Sequence, residues 1–214
     1  MTARLREVIL ILTFLTVFTI AEFRNKFEAV SGCKQFNAVD GYHHSPEFLP
    51  IEHFRNVGKS ENSTYFRFGI VCESDAFFRF ANKQFPFRDS MHEIVLGGWS
   101  NTASEIRRQR RDNHVHIHND ALLHKKTPSI CSKSEPVILK IEFFHDGYTT
   151  VTKEGELYPF LEFADSVKKV NFTYVSFGSL APHLRVIYFF DCPFQKFKGL
   201  YDFDMDVRIN ELLD

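Results

Sequence analysis

Apolar and polar residues alternate through the middle of this chain, and a two-residue period predicts β-strands. In residues 64–72 the apolar side chains of Phe66, Phe68, Ile70 and Cys72 fall at every second position. Because successive side chains of a strand point to opposite faces, we expect these four to lie on one buried face.

Further short apolar runs, separated by turn residues, predict a chain built of about nine strands. Asp146-Gly147 is typical of a tight hairpin turn, because glycine adopts positive φ without steric cost. A second turn at residues 153–155 completes a predicted three-strand antiparallel meander. No stretch has a convincing amphipathic helical period, so the pattern favours a single all-β domain, an antiparallel β-sandwich or jelly roll. The other predicted strands are residues 76–80, 92–96, 137–144, 148–151, 156–161, 171–178 and 184–192.

The first 21 residues follow a different pattern. Arg4 and Arg6 precede an uncharged apolar run, residues 8–20, and Ala21 follows it. This order is typical of a secretory signal peptide, and the run is short against the roughly 20 residues of a membrane-spanning helix. We therefore expect residues 1–21 to be removed and the protein to be secreted, with no stable membrane insertion. Residues 22–63 then form an N-terminal arm, residues 64–192 the sandwich domain and residues 193–214 a tail.

Charge and composition narrow the function classes. The 214 residues include 26 Lys and Arg against 27 Asp and Glu, a formal net charge of −1. A chain without a basic field is a poor nucleic-acid binder. The hydrophobic share of 44% excludes disorder across the whole chain.

The cysteines fit an oxidising compartment. Cys33, Cys72, Cys131 and Cys192 are an even set without metal-site spacing, so we expect two disulfides and leave the three possible pairings open. Two sequons, at Asn62 and Asn171, are expected N-glycosylation sites on a secreted protein.

The most distinctive stretch is Gly97-Gly98-Trp99, which contains the only tryptophan of the sequence. One interpretation is a bulged hairpin whose tryptophan plugs an end of the sandwich. The functional interpretation is a ligand-binding rim that offers a stacking plane, polar groups and a charged fork. The candidate ligand-binding residues are Trp99, Asn101, Ser104 and Arg107.

Two further clusters deserve a hypothesis each. Arg107, Arg108, Arg110 and Arg111 form a dense basic run that is either a solvated loop, a protease processing site or an anion contact for sulfate or phosphate groups. His114, His116 and His118 would share one face of a strand, but they are spread too far along it to hold one metal ion, so no metal site is predicted.

Three segments together identify a resemblance: LGGWSNTASEIR, IEFFHDGYTTVTKEGELYPFLE and FTYVSFGS. They resemble the farnesoic acid O-methyltransferase domain family of arthropod and other animal proteins, over residues 64–192. The resemblance implies a lectin-like β-sandwich and, from the family name, methyl transfer from S-adenosylmethionine to farnesoic acid, giving methyl farnesoate. The residues themselves lack the glycine-rich strand-to-helix turn common in enzymes that use this cofactor.

The leading hypothesis is therefore a secreted recognition module that binds a glycan or a small apolar ligand without catalysis and without a cofactor. The alternative is an O-methyltransferase that uses S-adenosylmethionine. A third hypothesis is a structural extracellular domain whose partner is another extracellular protein.

Overall fold

The computed structural model describes residues 25–43, 47–112 and 116–194, which fold into two antiparallel sheets. Short 3-10 helices span Lys26–Val30 and Ile51–His53. No helix in these ranges is long and apolar enough to cross a bilayer. The strands, numbered in chain order, are β1 Lys34–Ala38, β2 Leu49–Pro50, β3 Gly58–Lys59, β4 Ser63–Val71, β5 Ala76–Ala81, β6 Ser90–Gly97, β7 Ala103–Arg111, β8 Ile117–Lys126, β9 Val137–Phe144, β10 Thr149–Lys153, β11 Leu161–Phe163, β12 Tyr174–Ser179 and β13 Val186–Phe190.

The two sheets interleave strands from the whole described chain. Sheet 1 has the order β1-β13-β4-β9-β10-β11, with β3 also paired to β4. Sheet 2 has the order β2-β12-β5-β6-β7-β8. Every registered strand pair is antiparallel, so the expected all-β class is confirmed.

The core lies between the sheets and is rich in phenylalanine. Phe66, Phe68 and Ile70 of β4 face inward as the alternation predicts, and Cys72 follows them into the same cluster. Phe68 and Phe78 meet across the two sheets with ring centroids 5.2 Å apart, in the edge-to-face arrangement that aromatic pairs prefer. Burial of these alternating phenylalanine side chains is therefore the main interaction that holds the two sheets together.

Two disulfides tie the sandwich, and their pairing settles what the sequence left open. Cys33 pairs with Cys192, and Cys72 pairs with Cys131. The first bridge joins the segment before β1 to the segment after β13. The second joins the end of β4 to the loop before β9, close to the turn between β6 and β7.

Most predicted strands match observed ones, and one does not. Val137–Phe144 is a strand over the predicted range, and Gly147 has the positive φ of +97° that the hairpin requires. The strand predicted at residues 156–161 is wrong in position, because Leu157 and Tyr158 are exposed and β11 begins at Leu161. The predicted signal peptide, most of the predicted C-terminal tail and His114 lie outside the described residues.

Candidate functional site

The outer face of sheet 2 holds a buried layer of charged side chains. Arg79 on β5 and Glu93 on β6 form an ion pair, Nε to Oε2 at 2.6 Å, and both are at most 2% exposed. Gln109 on β7 donates to Glu93 Oε1 at 3.0 Å. These residues alternate along their strands with core side chains, so they point away from the sandwich interior.

Tyr42 covers this layer and explains why the charges are buried. Its hydroxyl donates to Glu93 Oε1 at 3.0 Å and accepts from Gln109 Nε2 at 2.7 Å. Its ring lies 5.2 Å from the Arg79 guanidinium, close enough for a cation–π contact. Burial, and then the charge of Glu93, raise the pKa of Tyr42, so its hydroxyl stays protonated at neutral pH.

A cavity of about 830 Å³ opens at one end of the charged layer, and we call it the Trp99 cavity. It combines aromatic and apolar surface with both signs of charge. Its lining residues are Tyr42, Glu73, Ser74, Asp75, Phe77, Val95, Trp99, Ser100, Arg107, Lys133, Leu180 and Leu184.

The turn Gly98–Asn101 between β6 and β7 places Trp99 at this cavity. Trp99, Ser100 and Asn101 all have positive φ, at 52°, 56° and 63°. A left-handed conformation costs about 1–2 kcal/mol for each residue that has a Cβ. Gly97, at φ +65°, precedes them and must be glycine, because a Cβ there would lie 2.6 Å from Cys131 Sγ. The tight Gly97–Cys131 approach presses this turn against the Cys72–Cys131 disulfide.

Hydrogen bonds hold the strained turn. Asn101 exchanges two bonds with the main chain of Cys131, and Thr102 Oγ1 donates to the Trp99 carbonyl at 2.8 Å. Trp99 as a residue remains 49% exposed, and its ring stands nearly perpendicular to the His124 ring of β8 at a centroid distance of 4.5 Å. The tryptophan is thus fixed at its backbone and open at its ring, rather than plugged into the sandwich.

The structure separates the four predicted ligand-binding residues into two pairs. Trp99 and Arg107 line the same cavity. The side chain of Asn101 instead stabilises the turn through its two hydrogen bonds to the Cys131 main chain. Ser104 is fully buried, with its hydroxyl 2.6 Å from that of Thr127, so it does not reach the rim.

Two carboxylates hold the guanidinium of Arg107: Glu105 on the same strand and Glu93 on the neighbouring strand β6. Its Nε donates to Glu105 Oε2 at 2.5 Å, and its Nη1 lies 3.5 Å from Glu93 Oε1. Burial opposes the charge of Arg107, but Glu93 and Glu105 together raise its pKa. The guanidinium at the cavity wall is therefore a permanent and already neutralised cation.

The basic run lies within strand β7 and is not a solvated loop. Arg108 Nη1 binds Asp165 Oδ1 at 2.8 Å, and Arg110 Nε lies 3.3 Å from Asp112 Oδ1. Arg111 points to the opposite face and is 1% exposed. Alternation along the strand therefore divides the run between two faces, and Arg110 is the most exposed of its members.

Among the described histidines, none belongs to a cluster. His118 lies 3.2 Å from Asp112, and His124 packs on Trp99. The described residues contain no group of three or more metal-ligating side chains.

Sequence reasoning missed several residues of the Trp99 cavity. These residues lie in loops, where the sequence has no periodic pattern that would predict which side chains lie close together. They are Tyr42, Glu73, Asp75 and Lys133. Glu73 and Lys133 pair at 2.8 Å from opposite sides of the Cys72–Cys131 bridge. Glu73 directly follows Cys72, and Lys133 lies two residues after Cys131. These positions predict that the two side chains are close, but only once the Cys72–Cys131 pairing is known.

Comparison with known proteins gives a family and distant folds. Residues 42–194 match the family model described as farnesoic acid O-methyl transferase. No curated protein sequence matches the chain. The ligand-binding domain of botulinum neurotoxin serotype D, solved with N-acetylneuraminic acid, is similar at a TM-score of 0.41 and 11% identity, over 78% of this chain and 42% of that one. A prokaryotic β-1,3-1,4-glucanase derived from a mouse hindgut metagenome is similar at a TM-score of 0.33 and 9% identity, over 74% of this chain and 96% of that one. The chain thus spans about two fifths of the length of the toxin domain.

Proposed function

Because the chain belongs to the farnesoic acid O-methyl transferase family, whose description names a reaction, we propose a specific role for this member: it is a secreted module that binds a short neutral glycan in the Trp99 cavity and leaves it chemically unchanged. The single observation that supports this most strongly is the strained turn that holds the exposed ring of Trp99 at a preformed cavity.

The strain of the turn points to function. Left-handed backbone at consecutive residues with a Cβ persists only where the surrounding structure enforces it, and such outliers gather at ligand-binding and active sites. Here two Asn101 hydrogen bonds and a neighbouring disulfide enforce it. An aromatic plane presented in this way stacks on the apolar face of a sugar ring and contributes substantial buried area.

The charge pattern favours a neutral hydroxylated ligand. Lys133 is paired with Glu73, and Arg107 is paired with Glu105 and lies near Glu93. Paired ions still offer donors and acceptors to hydroxyl groups, but they leave no uncompensated cation for an anion. Asp75 adds a further carboxylate to the lining.

The same pattern does not fit farnesoate. Its carboxylate would enter a cavity whose cations are already paired and whose lining includes Glu73 and Asp75. Repulsion between like charges in a partly buried site disfavours that ligand. The cavity therefore does not fit farnesoate, the acceptor of the reaction that uses S-adenosylmethionine.

Two features support the extracellular setting. Disulfides persist in oxidising compartments, and this chain has two. Asn62 and Asn171 are exposed, as an acceptor for N-glycosylation must be. Together with the apolar run at residues 8–20, these features support passage through the secretory route.

The experiment is a glycan array probed with protein secreted from eukaryotic cells, as wild type, Trp99→Ala and Tyr158→Ala. Tyr158 is 80% exposed and does not line the cavity, so it is the matched aromatic control. We expect Trp99→Ala to weaken glycan binding at least tenfold, about 1.4 kcal/mol or more. We expect Tyr158→Ala to bind like the wild type.

Two results would contradict the proposal. Equal binding by Trp99→Ala would remove this site, and an array without any bound glycan would remove the ligand class. A parallel incubation with S-adenosylmethionine and farnesoic acid tests the alternative, since formation of methyl farnesoate would establish the enzyme.

A further inference from the structure

Of the two carboxylates that line the Trp99 cavity, only Asp75 has no counter-ion. Asp75 lies in the loop between β4 and β5, and among the described residues no hydrogen bond or ion pair reaches its side chain. Glu73, the other carboxylate of the lining, is paired with Lys133 at 2.8 Å. An ionised carboxylate only accepts hydrogen bonds, and its two oxygens have about four lone-pair sites. Asp75 therefore offers unused acceptors to a molecule in the cavity.

The backbone holds Asp75 against the turn that carries Trp99. Asp75 N donates to the Gly97 carbonyl at 3.1 Å, and Oδ1 of Asp75 lies 3.8 Å from the position that a Cβ on Gly98 would occupy. Gly98 directly precedes Trp99 in the chain. The acceptor oxygens therefore lie next to the turn from which the tryptophan ring projects, and both residues belong to the wall of one cavity.

The loop of Asp75 is as constrained as the turn of Trp99. The φ of Asp75 is +55°, and a residue with a Cβ keeps a left-handed backbone only where its surroundings enforce it. The Cys72–Cys131 disulfide and the hydrogen bond to Gly97 hold the loop on either side. Glycine would adopt this conformation without steric cost. Backbone geometry alone therefore does not call for a carboxylate at this position.

A carboxylate beside an exposed aromatic ring suits a sugar that presents two adjacent hydroxyl groups. Such a sugar stacks its apolar face on Trp99, while its hydroxyls donate to Oδ1 and Oδ2 of Asp75. A site built to bind a hydroxyl group rejects an analogue that lacks it, because the buried polar group is then left unpaired. A sugar that carries a carboxylate at this place is repelled by the like charge.

We propose that Asp75 determines which glycans the Trp99 cavity accepts. It binds two adjacent free hydroxyl groups of the ring that stacks on Trp99, and it excludes sugars that carry a carboxylate at that place. This inference rests on the proposed glycan function and adds the residue that discriminates within that class. Trp99 provides contact area for any ring with an apolar face, whereas Asp75 distinguishes one ring from another.

The first test compares binding to pairs of immobilised oligosaccharides that end in glucose, galactose or mannose or in the corresponding uronic acid. The variants are Asp75→Asn, which keeps the side-chain shape and tolerates a left-handed backbone, and Glu156→Gln. Glu156 is exposed and does not line the cavity, so it is the matched carboxylate control.

We expect the wild type to bind the neutral member of a pair more tightly than the acidic member, by about tenfold or more. Asp75→Asn should bind the neutral member about tenfold more weakly and should lose the discrimination against the acidic member. A merely structural role of Asp75 would weaken both members equally. Glu156→Gln should bind both members like the wild type.

The second test uses only the wild type, so it remains decisive if Asp75→Asn fails to fold. Its probes are the monodeoxy analogues of the neutral oligosaccharide that binds most tightly in the first test. Removal of either of two adjacent hydroxyls should weaken binding by about tenfold or more, and removal of the other hydroxyls should have little effect.

Three results would overturn the role of Asp75: equal binding of all monodeoxy analogues, undiminished discrimination by Asp75→Asn, or no binding of the wild type to any of these oligosaccharides. The glycan function is tested separately. If Trp99→Ala loses binding while Asp75→Asn binds and discriminates like the wild type, only the role of Asp75 is wrong. If the whole glycan array shows no binding, both proposals are wrong.

Discussion

Asn101 and Cys131 exchange two hydrogen bonds across 30 residues of sequence: Asn101 Nδ2 donates to the Cys131 carbonyl, and the Cys131 amide donates to Asn101 Oδ1, each at 2.9 Å. The amide side chain of Asn101 thus pairs with the Cys131 main chain much as a neighbouring strand would. Two main-chain bonds, from Ser129 N to the Asn101 carbonyl and from Thr127 N to the Thr102 carbonyl, join the turn to the same loop, so the side chain of Asn101 adds to a connection that the backbone also makes.

Asn101→Ala removes both bonds and leaves the Cys131 main chain without these partners. We expect it to lower the free energy of unfolding by about 1–3 kcal/mol and to weaken glycan binding, because the turn that carries Trp99 loses two of the hydrogen bonds that hold it. Chemical denaturation and the glycan array measure the two effects. Asn37→Ala, at an exposed position of β1, is the control and should change neither.

The two disulfides should separate by function. Replacing both Cys72 and Cys131 with alanine should cost about 2–5 kcal/mol and should also impair glycan binding, since Cys131 holds the turn. The matching replacement of Cys33 and Cys192 should lower stability and leave the affinity unchanged under conditions where the protein is folded. Equal affinity in both variants would show that the turn does not need its disulfide anchor.

Tyr188 is a core tyrosine whose hydroxyl is fully used. It accepts from Phe77 N at 2.7 Å and donates to the Gly178 carbonyl at 2.6 Å, which ties sheet 1 to β5 and β12 of sheet 2. Tyr188→Phe leaves the buried Phe77 amide without that acceptor, so we expect a loss of about 1–3 kcal/mol in unfolding experiments. Tyr158→Phe at an exposed site should be neutral.

Stability should fall in mildly acidic solution because of His92. Burial lowers the pKa of His92 in the folded state, although its Nε2 lies 3.0 Å from Asp165 Oδ2. The unfolded chain, with a histidine pKa of about 6.5, then binds the proton more readily than the folded chain. The contribution is complete above that value and is lost as pH falls through the lower folded pKa.

His92→Gln should therefore flatten the dependence of the melting temperature on pH just below neutrality, where the wild type declines. His118→Gln, which changes an exposed histidine, should retain the decline. A wild-type melting temperature that does not change between neutral pH and pH 5 would contradict this assignment.

The sequence predicts those elements whose local pattern agrees with their tertiary setting. β9 is recognised over its whole length because its apolar run ends at an Asp-Gly turn. The sequence does not predict β2 of sheet 2, because a strand of two residues is too short to show an alternating pattern. β11 is displaced because Leu157 and Tyr158 look like strand residues but are exposed.

The sequence predicts only part of the candidate site, and strand alternation and burial explain why the rest is missed. Trp99 and Arg107 are conspicuous residue types in a glycine-marked hairpin, and both line the cavity. Ser104 shares the motif, but strand alternation turns it inward to Thr127. Arg79 and Arg111 look like solvent-facing residues of their strands, and only the position of Tyr42 shows that they are covered.

The Cys33–Cys192 bridge has a mechanical consequence. It joins residues 159 positions apart, on either side of the neighbouring strands β1 and β13. Tension applied through the flanking polypeptide would pass through one covalent cross-link and bypass the strands between. The strands between the two cysteines therefore carry no force, and the Trp99 cavity keeps its shape under tension until a reductant breaks the Cys33–Cys192 bond.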